Sequence, residues 1–253
     1  MSKTQLFDLD GKIAFVSGAS RGIGEAIAHL LAQQGAHVIV SSRKLADCEV
    51  VAERIRAAGG KAEALACHVG RMEDITAAFD TIRSRHGRLD ILINNAADRN
   101  QVPLSELTYR NWNQVMAVIL GGAFLCSRAA IPHMIAAGGG TIINIGGLTA
   151  HTGAHDRAHV ITAKAGLVGL TKALAVEFGD KGITVNCVVP GQIGGERSAT
   201  SGDPAPKPGG EANLVGRMGT FEEVAAMVRT LCLPTGGYIT GQTIHVSGGR
   251  FMP

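Results

Sequence analysis

The sequence is short of everything that would send it into or onto a membrane. No unbroken apolar run approaches the roughly 18 residues that a bilayer-spanning helix needs, and the opening MSKTQLFDLDGK lacks the apolar stretch of a secretory signal. A cytoplasmic protein without a membrane partner is therefore expected. Paired cysteines are also missing: Cys48, Cys67, Cys126, Cys187 and Cys232 are odd in number, scattered and without CxxC or ligand spacing, which suits buried thiols in a reducing compartment and excludes a disulfide framework. There is no Lys/Arg block either. The formal charge of +3 is small for 253 residues and is spread along the chain, which argues against a nucleic-acid surface and leaves a small anionic molecule as the expected partner.

What remains is apolar material, 45% of the residues, enough for one large core, so residues 1–253 are read as a single domain. Short β-branched runs at 12–17, 37–42, 61–67, 89–94, 140–145, 183–189 and 242–247 alternate with amphipathic stretches near 22–34, 46–58, 72–86, 105–119, 122–137, 156–179 and 221–232. Continuous apolar strands interleaved with helices predict a seven-stranded parallel sheet covered on both faces, a doubly wound α/β Rossmann fold. Residues 192–213 break the rhythm with Gly, Pro, Ser and charge, and are expected to form a mobile lid over a ligand site.

The first strand runs into S-G-A-S-R-G-I-G at 17–24, which opens a helix. Gly18 suits a tight turn, and Gly22 and Gly24 suit close approach of a pyrophosphate to a helix N-terminus, with Ser20, Arg21 and Ile23 between them. The second strand ends in Ser42 and Arg43 where an acidic residue would hydrogen-bond a ribose 2′-hydroxyl. A guanidinium instead pairs with a 2′-phosphate, and Arg21 adds a second cation nearby, so NADP(H) is favoured over NAD(H).

With GASRGIG at 18–24, NNAA at 94–97, a lysine at 164, VNCVVPG at 185–191 and YITGQTIHVSGG at 238–249, the whole chain resembles the classical short-chain dehydrogenase/reductase family. The resemblance implies that Asn94, Ala96 and the residue after the third strand, here His68, line the adenosine side. It also implies that Pro190, Gly191 and Ile193 lead to the nicotinamide and that Lys164 holds the ribose. In the family a tyrosine four residues before the lysine passes a proton, a serine thirteen residues before that tyrosine bonds the carbonyl, and an asparagine on the preceding long helix organises a relay water.

Here those positions read Val160, Gly147 and Ile119, the glycine of NNAG is Ala97, and Gly195 stands where a threonine is usual. None of the three side chains offers a titratable proton or a hydrogen bond. The only tyrosines are Tyr109 and Tyr238, too far along the chain for an alignment shift to recover them.

His151, His155 and His159, with Asp156 and Arg157 among them, recur at four-residue intervals and are candidate substitutes for the lost acid, His155 and His159 above all. No carboxylate or cysteine completes a ligand set around them, so no metal is assigned. His159 should also point about 100° around the helix from position 160. Three readings stay open: an NADP(H) oxidoreductase with an unusual proton donor, a catalytically silent subunit or nucleotide sensor, and a non-redox lyase, hydrolase or isomerase using a histidine of 151–159. Apolar faces in 108–136, 157–178 and 238–253 match the family's assembly surfaces, so a homotetramer is expected, with mixing with an active relative as the alternative.

Overall fold

The computed structural model describes residues 6–194 and 213–253. Seven strands form one parallel sheet: β1 (Ile13–Ser17), β2 (His37–Ser42), β3 (Lys61–Ala66), β4 (Ile91–Asn94), β5 (Gly140–Ile145), β6 (Ile183–Pro190) and β7 (Thr243–Val246). Their order is β3-β2-β1-β4-β5-β6-β7, so the winding reverses between β1 and β4. Such a reversal leaves a crevice above the carboxyl ends of the two strands, the place where open α/β sheets take ligands. The doubly wound expectation is borne out.

Alternation along each strand explains the two layers. On one face, Ala14, Val16, Val38, Val40, Ile91 and Ile93 meet α1 (Gly22–Gln33), α2 (Leu45–Ala57) and α8 (Phe221–Cys232). On the other, Phe15, Ile39, Leu92 and Val185 meet α3 (Met72–His86), α5 (Gly122–Ala136) and α7 (Ala158–Phe178). Successive strand residues point to opposite faces, so a strand buried on both sides reads as a continuous apolar run. Thr220 starts α8 with a capping box, accepting from the Glu223 N–H at 3.2 Å while Glu223 accepts from the Thr220 N–H at 2.9 Å.

One expectation needs correction. The helices read at 105–119 and 122–137 are one rod, because α4 (Tyr109–Met116) passes through a π turn at Ala117–Gly121 directly into α5. Gly121 and Gly122 resemble a breaker in sequence, yet a Cβ at Gly122 would stand 2.9 Å from Val69 Cγ2, so the glycine serves close packing. Tyr109–Ala136 and Ala158–Lys181 are long and apolar enough to cross a membrane, although both carry side chains packed into the cores of this sheet and its neighbouring helices.

Candidate cofactor crevice and catalytic cleft

The glycine loop is built by the reversal of the sheet. Ser17 at the end of β1 donates to the Ile93 carbonyl at 3.1 Å and accepts from the Asn95 N–H at 3.0 Å, which ties β1 to the end of β4. Asn95 returns two bonds from its amide nitrogen, to the Ser17 and Gly18 carbonyls at 3.0 and 2.9 Å. Sequence reasoning passed over Asn95, although its place within NNAA was the available signal. Gly18 has φ +63° and a Cβ there would stand 2.8 Å from Ala96 Cα, so no other residue fits.

The other two glycines divide their work. Gly24 packs inward, where a Cβ would meet the Asn95 amide nitrogen at 2.5 Å. Gly22, at φ +61°, has nothing nearer than the Phe221 ring at 3.7 Å, so its backbone remains approachable. Arg21 occupies the N-cap of α1 in extended conformation and its side chain makes no capping hydrogen bond. The first turn of α1 thus carries N–H donors without a side-chain cap and the positive end of the dipole, a donor set that fits a pyrophosphate. Ser20 and Ile23 lie in this loop, Ile23 buried and Ser20 half-buried.

Around the crevice, Arg21 and Arg43 are both exposed at its surface, while Ser42 is half-buried and bonded to Cys48 Sγ at 3.0 Å. His68 accepts at Nδ1 from the Gly70 N–H at 3.1 Å, which leaves the ring proton of the neutral form on Nε2. The neutral ring therefore offers a donor at Nε2. Asn94 turns into the sheet, donating to Asn144 Oδ1 at 2.9 Å, and Asn144 donates to Thr171 Oγ1 at 2.9 Å. Ala96 and Asn94 line one small recess with Ser17, Val69 and Ile119.

Pro190 closes β6, and the Gly191 N–H bonds the Val246 carbonyl at 2.9 Å. Ile193 bridges to Gly219. Of the expected lid at 192–213, residues 195–212, with Gly195, lie outside the described residues.

In the cleft, Lys164 on α7 is 5% exposed and its amine donates to the Ile145 carbonyl at the end of β5. Burial, then the nearby charge of Arg99, pull its pKa down from the usual lysine range to about 7. Arg99 is a second residue that sequence reading missed; it lies just past NNAA, where only the three-dimensional placement reveals its proximity to Lys164. Gly147 lies on the lysine's aliphatic stem, and Val160 and Ile119 share one apolar cluster with Val115, Ala163 and Leu167. Both tyrosines are at the surface, Tyr109 79% and Tyr238 102% exposed.

The three histidines are dispersed. His151 on α6 (Thr149–Thr152) packs its ring edge-on to His245 of β7 with centroids 4.6 Å apart, and Phe251 covers both. His155 is exposed, and His159 is fully buried with neither ring nitrogen hydrogen-bonded among the described residues. Gly153 at φ +75° and Asp156 at φ +59° turn the chain between them, so four-residue spacing does not place them on one helix face.

Three comparisons bear on this geometry. A family profile described as Enoyl-(Acyl carrier protein) reductase matches residues 18–250. The short-chain reductase protein NovJ of Streptomyces niveus is 38% identical over 250 residues, covering 94% of this chain and 93% of the relative. The 3-oxoacyl-acyl-carrier-protein reductase FabG of Vibrio cholerae is 36% identical over 245 residues, covering 97% and 99%. Among solved structures, a gluconate 5-dehydrogenase from Burkholderia cenocepacia in complex with NADP and tartrate superposes with a TM-score of 0.89 at 29% identity over 97% of each chain.

Proposed function

The chain belongs to the short-chain dehydrogenase/reductase family, and on that premise we propose that it binds NADP(H) above β1 and β4 while the family's proton relay is replaced by Ile119, Gly147 and Val160. The cofactor, when bound, exchanges a hydride with a carbonyl or alcohol carbon. Gly22 and the start of α1 take the pyrophosphate, and Arg21 and Arg43 select the 2′-phosphate by charge-assisted bonding. NADP in the gluconate 5-dehydrogenase relative supports the phosphorylated form. Pro190, Gly191 and Ile193 shape the nicotinamide end.

The observation that carries this reading is Lys164, buried against Gly147 with an amine whose pKa lies near 7. At neutral pH it holds its proton part of the time, so it can release one to a nascent alkoxide without a phenol between them. His155 and His159 lose ground as substitutes, the first by exposure and the second by burial on another side of α7. Ketones that need both a carbonyl donor and a strong acid are poor substrates for such a cleft. Activated carbonyls or polarised double bonds suit it better.

A second reading, a silent subunit in a mixed oligomer, is favoured by apolar side chains left at the surface of the two long helices: Phe124, Ile135 and, at 87% exposure, Val176. Those faces support a tetramer, with itself or with an active relative. Calorimetric titration of NADPH and NADH, followed by turnover assays, tests the proposal. Micromolar NADPH binding is expected with no measurable reduction of simple ketones by the wild type. Fast reduction of simple ketones would overturn the replaced relay, and absence of nucleotide binding would leave the non-redox reading in its place.

A further inference from the structure

Far from the crevice, at the amino ends of the outer strands, three side chains with ligand chemistry converge. His37 is the first residue of β2, Glu63 the third of β3, and His86 the last of α3. The parallel pairing sets Ile39 opposite Glu63 and His37 opposite Lys61, so His37 and Glu63 project from the same sheet face, the one covered by α3. His86 then closes over them from the end of that helix.

The geometry is specific. His86 Nε2 lies 2.7 Å from Glu63 Oε1, the His37 and His86 ring centroids are 4.8 Å apart, and one ligand atom from each of the three residues lies within 4.8 Å of the others. The other carboxylate oxygen, Oε2, accepts from Arg85 Nη1 at 2.9 Å, which fixes the orientation of Glu63. His37 Nε2 is buried and has no hydrogen-bond partner among the described residues. An imidazole nitrogen sequestered from water beside a carboxylate and a second imidazole is a polar atom with no assigned partner.

From this arrangement we propose a divalent transition-metal site in which His37 Nε2, His86 Nε2 and Glu63 Oε1 bind one Zn²⁺-class ion, with water as fourth ligand. Two imidazoles and one carboxylate are a set that suits zinc, and tetrahedral ligands at about 2.0–2.1 Å from the ion stand about 3.3 Å apart, within side-chain adjustment of the present spacing. Arg85 supplies the outer hydrogen bond that ligating carboxylates commonly receive. Because Arg85 and Lys61 add positive charge nearby, the affinity should be micromolar rather than that of a structural zinc. The ion would clamp β2, β3 and α3 together.

The test uses the full, tag-free chain stripped with chelator. Titration with Zn²⁺ by calorimetry and with Co²⁺ by visible absorption should show one equivalent, and a hundredfold excess over Kd should raise Tm by roughly 5 °C. His37→Ala, His86→Ala and the shape-conserving Glu63→Gln should each weaken binding at least tenfold, as loss of a ligand or its support does. NADPH binding measured on the same samples reports whether each variant is folded. No heat and no d–d spectrum up to millimolar metal would refute the site, as would folded variants that bind Zn²⁺ as tightly as wild type.

Discussion

Gly147 rests on the stem of Lys164: an atom added at its α-carbon would stand 3.6 Å from Lys164 Cγ and 3.9 Å from Cβ and Cδ, ordinary van der Waals separation. The cleft therefore has room for a serine where it has none. Val160 sits one turn before Lys164 on α7, and Ile119 faces the same apolar cluster. A combined Ile119→Asn, Gly147→Ser, Val160→Tyr variant should gain ketone reduction of about 10²-fold or more over wild type, the usual contribution of a positioned acid. Steady-state NADPH oxidation with simple ketones measures it. No gain from a folded variant that binds NADPH would mean that the missing hydroxyls are not what limits the wild type.

Nucleotide choice should follow the two exposed arginines. Removing charge-assisted hydrogen bonds costs about 1.5–3 kcal/mol each. Arg21→Ala and Arg43→Ala should therefore weaken NADPH roughly 10- to 100-fold and NADH far less. Equal losses for both nucleotides in a calorimetric comparison would show that these guanidinia do not read the 2′-phosphate.

Acid should loosen the C-terminal tail. Burial holds His151 and His245 below the ordinary histidine pKa, the second also through the charge of the first, and burial does the same to His159. A histidine with a depressed native pKa takes up protons more readily unfolded. Its contribution to stability is thus full above the unfolded value of about 6.5 and is lost as pH falls from there through the native value. Denaturant midpoints should drop between about pH 6.5 and 5, and His151→Gln should flatten that drop. An unchanged acid limb in the variant would exclude His151.

At the base of the sheet, Asp90 accepts from the Ile13 N–H at 3.0 Å, Lys12 at 3.1 Å and Arg88 Nε at 2.9 Å. Burial alone would raise this carboxyl, yet Arg88, the Ile13 N–H and Lys12 outweigh it and hold it below the usual range. Asp90→Asn should destabilise by roughly 2 kcal/mol, since hydrogen bonds to a charged group are lost and the cations remain. Urea denaturation at pH 7 reads this directly. As acid protonates the wild-type carboxyl, which requires a pH below the usual aspartate range, the difference between the two proteins should shrink.

The strands were legible because parallel strands buried on both faces are written as β-branched runs, and HVIVSS or GTIINI need no partner to be recognised. The glycine loop was legible for a related reason: a tight turn, an approachable backbone and a helix start are all demands on consecutive residues. Less was legible where glycines have two meanings. The ranges 105–119 and 122–137 read as two helices, and only the folded chain shows that they join through a π turn, with Gly122 close-packed on Val69. The histidine run carried little for a physical reason, since the i, i+4 rule holds only within one helix and Gly153 and Asp156 turn the backbone in between.

By itself the sequence determined the alternation of strands and helices, the glycine loop and the residue types at positions 119, 147 and 160, because each is encoded over a span of a few neighbours. The folded chain alone decided that Arg99 acts on Lys164, that the lysine lies buried against Gly147, and that His37, Glu63 and His86 meet at one corner. Proton affinity and ligand geometry depend on distance in space and on the exclusion of water, and residues far apart in the chain acquire both only when the sheet winds them together.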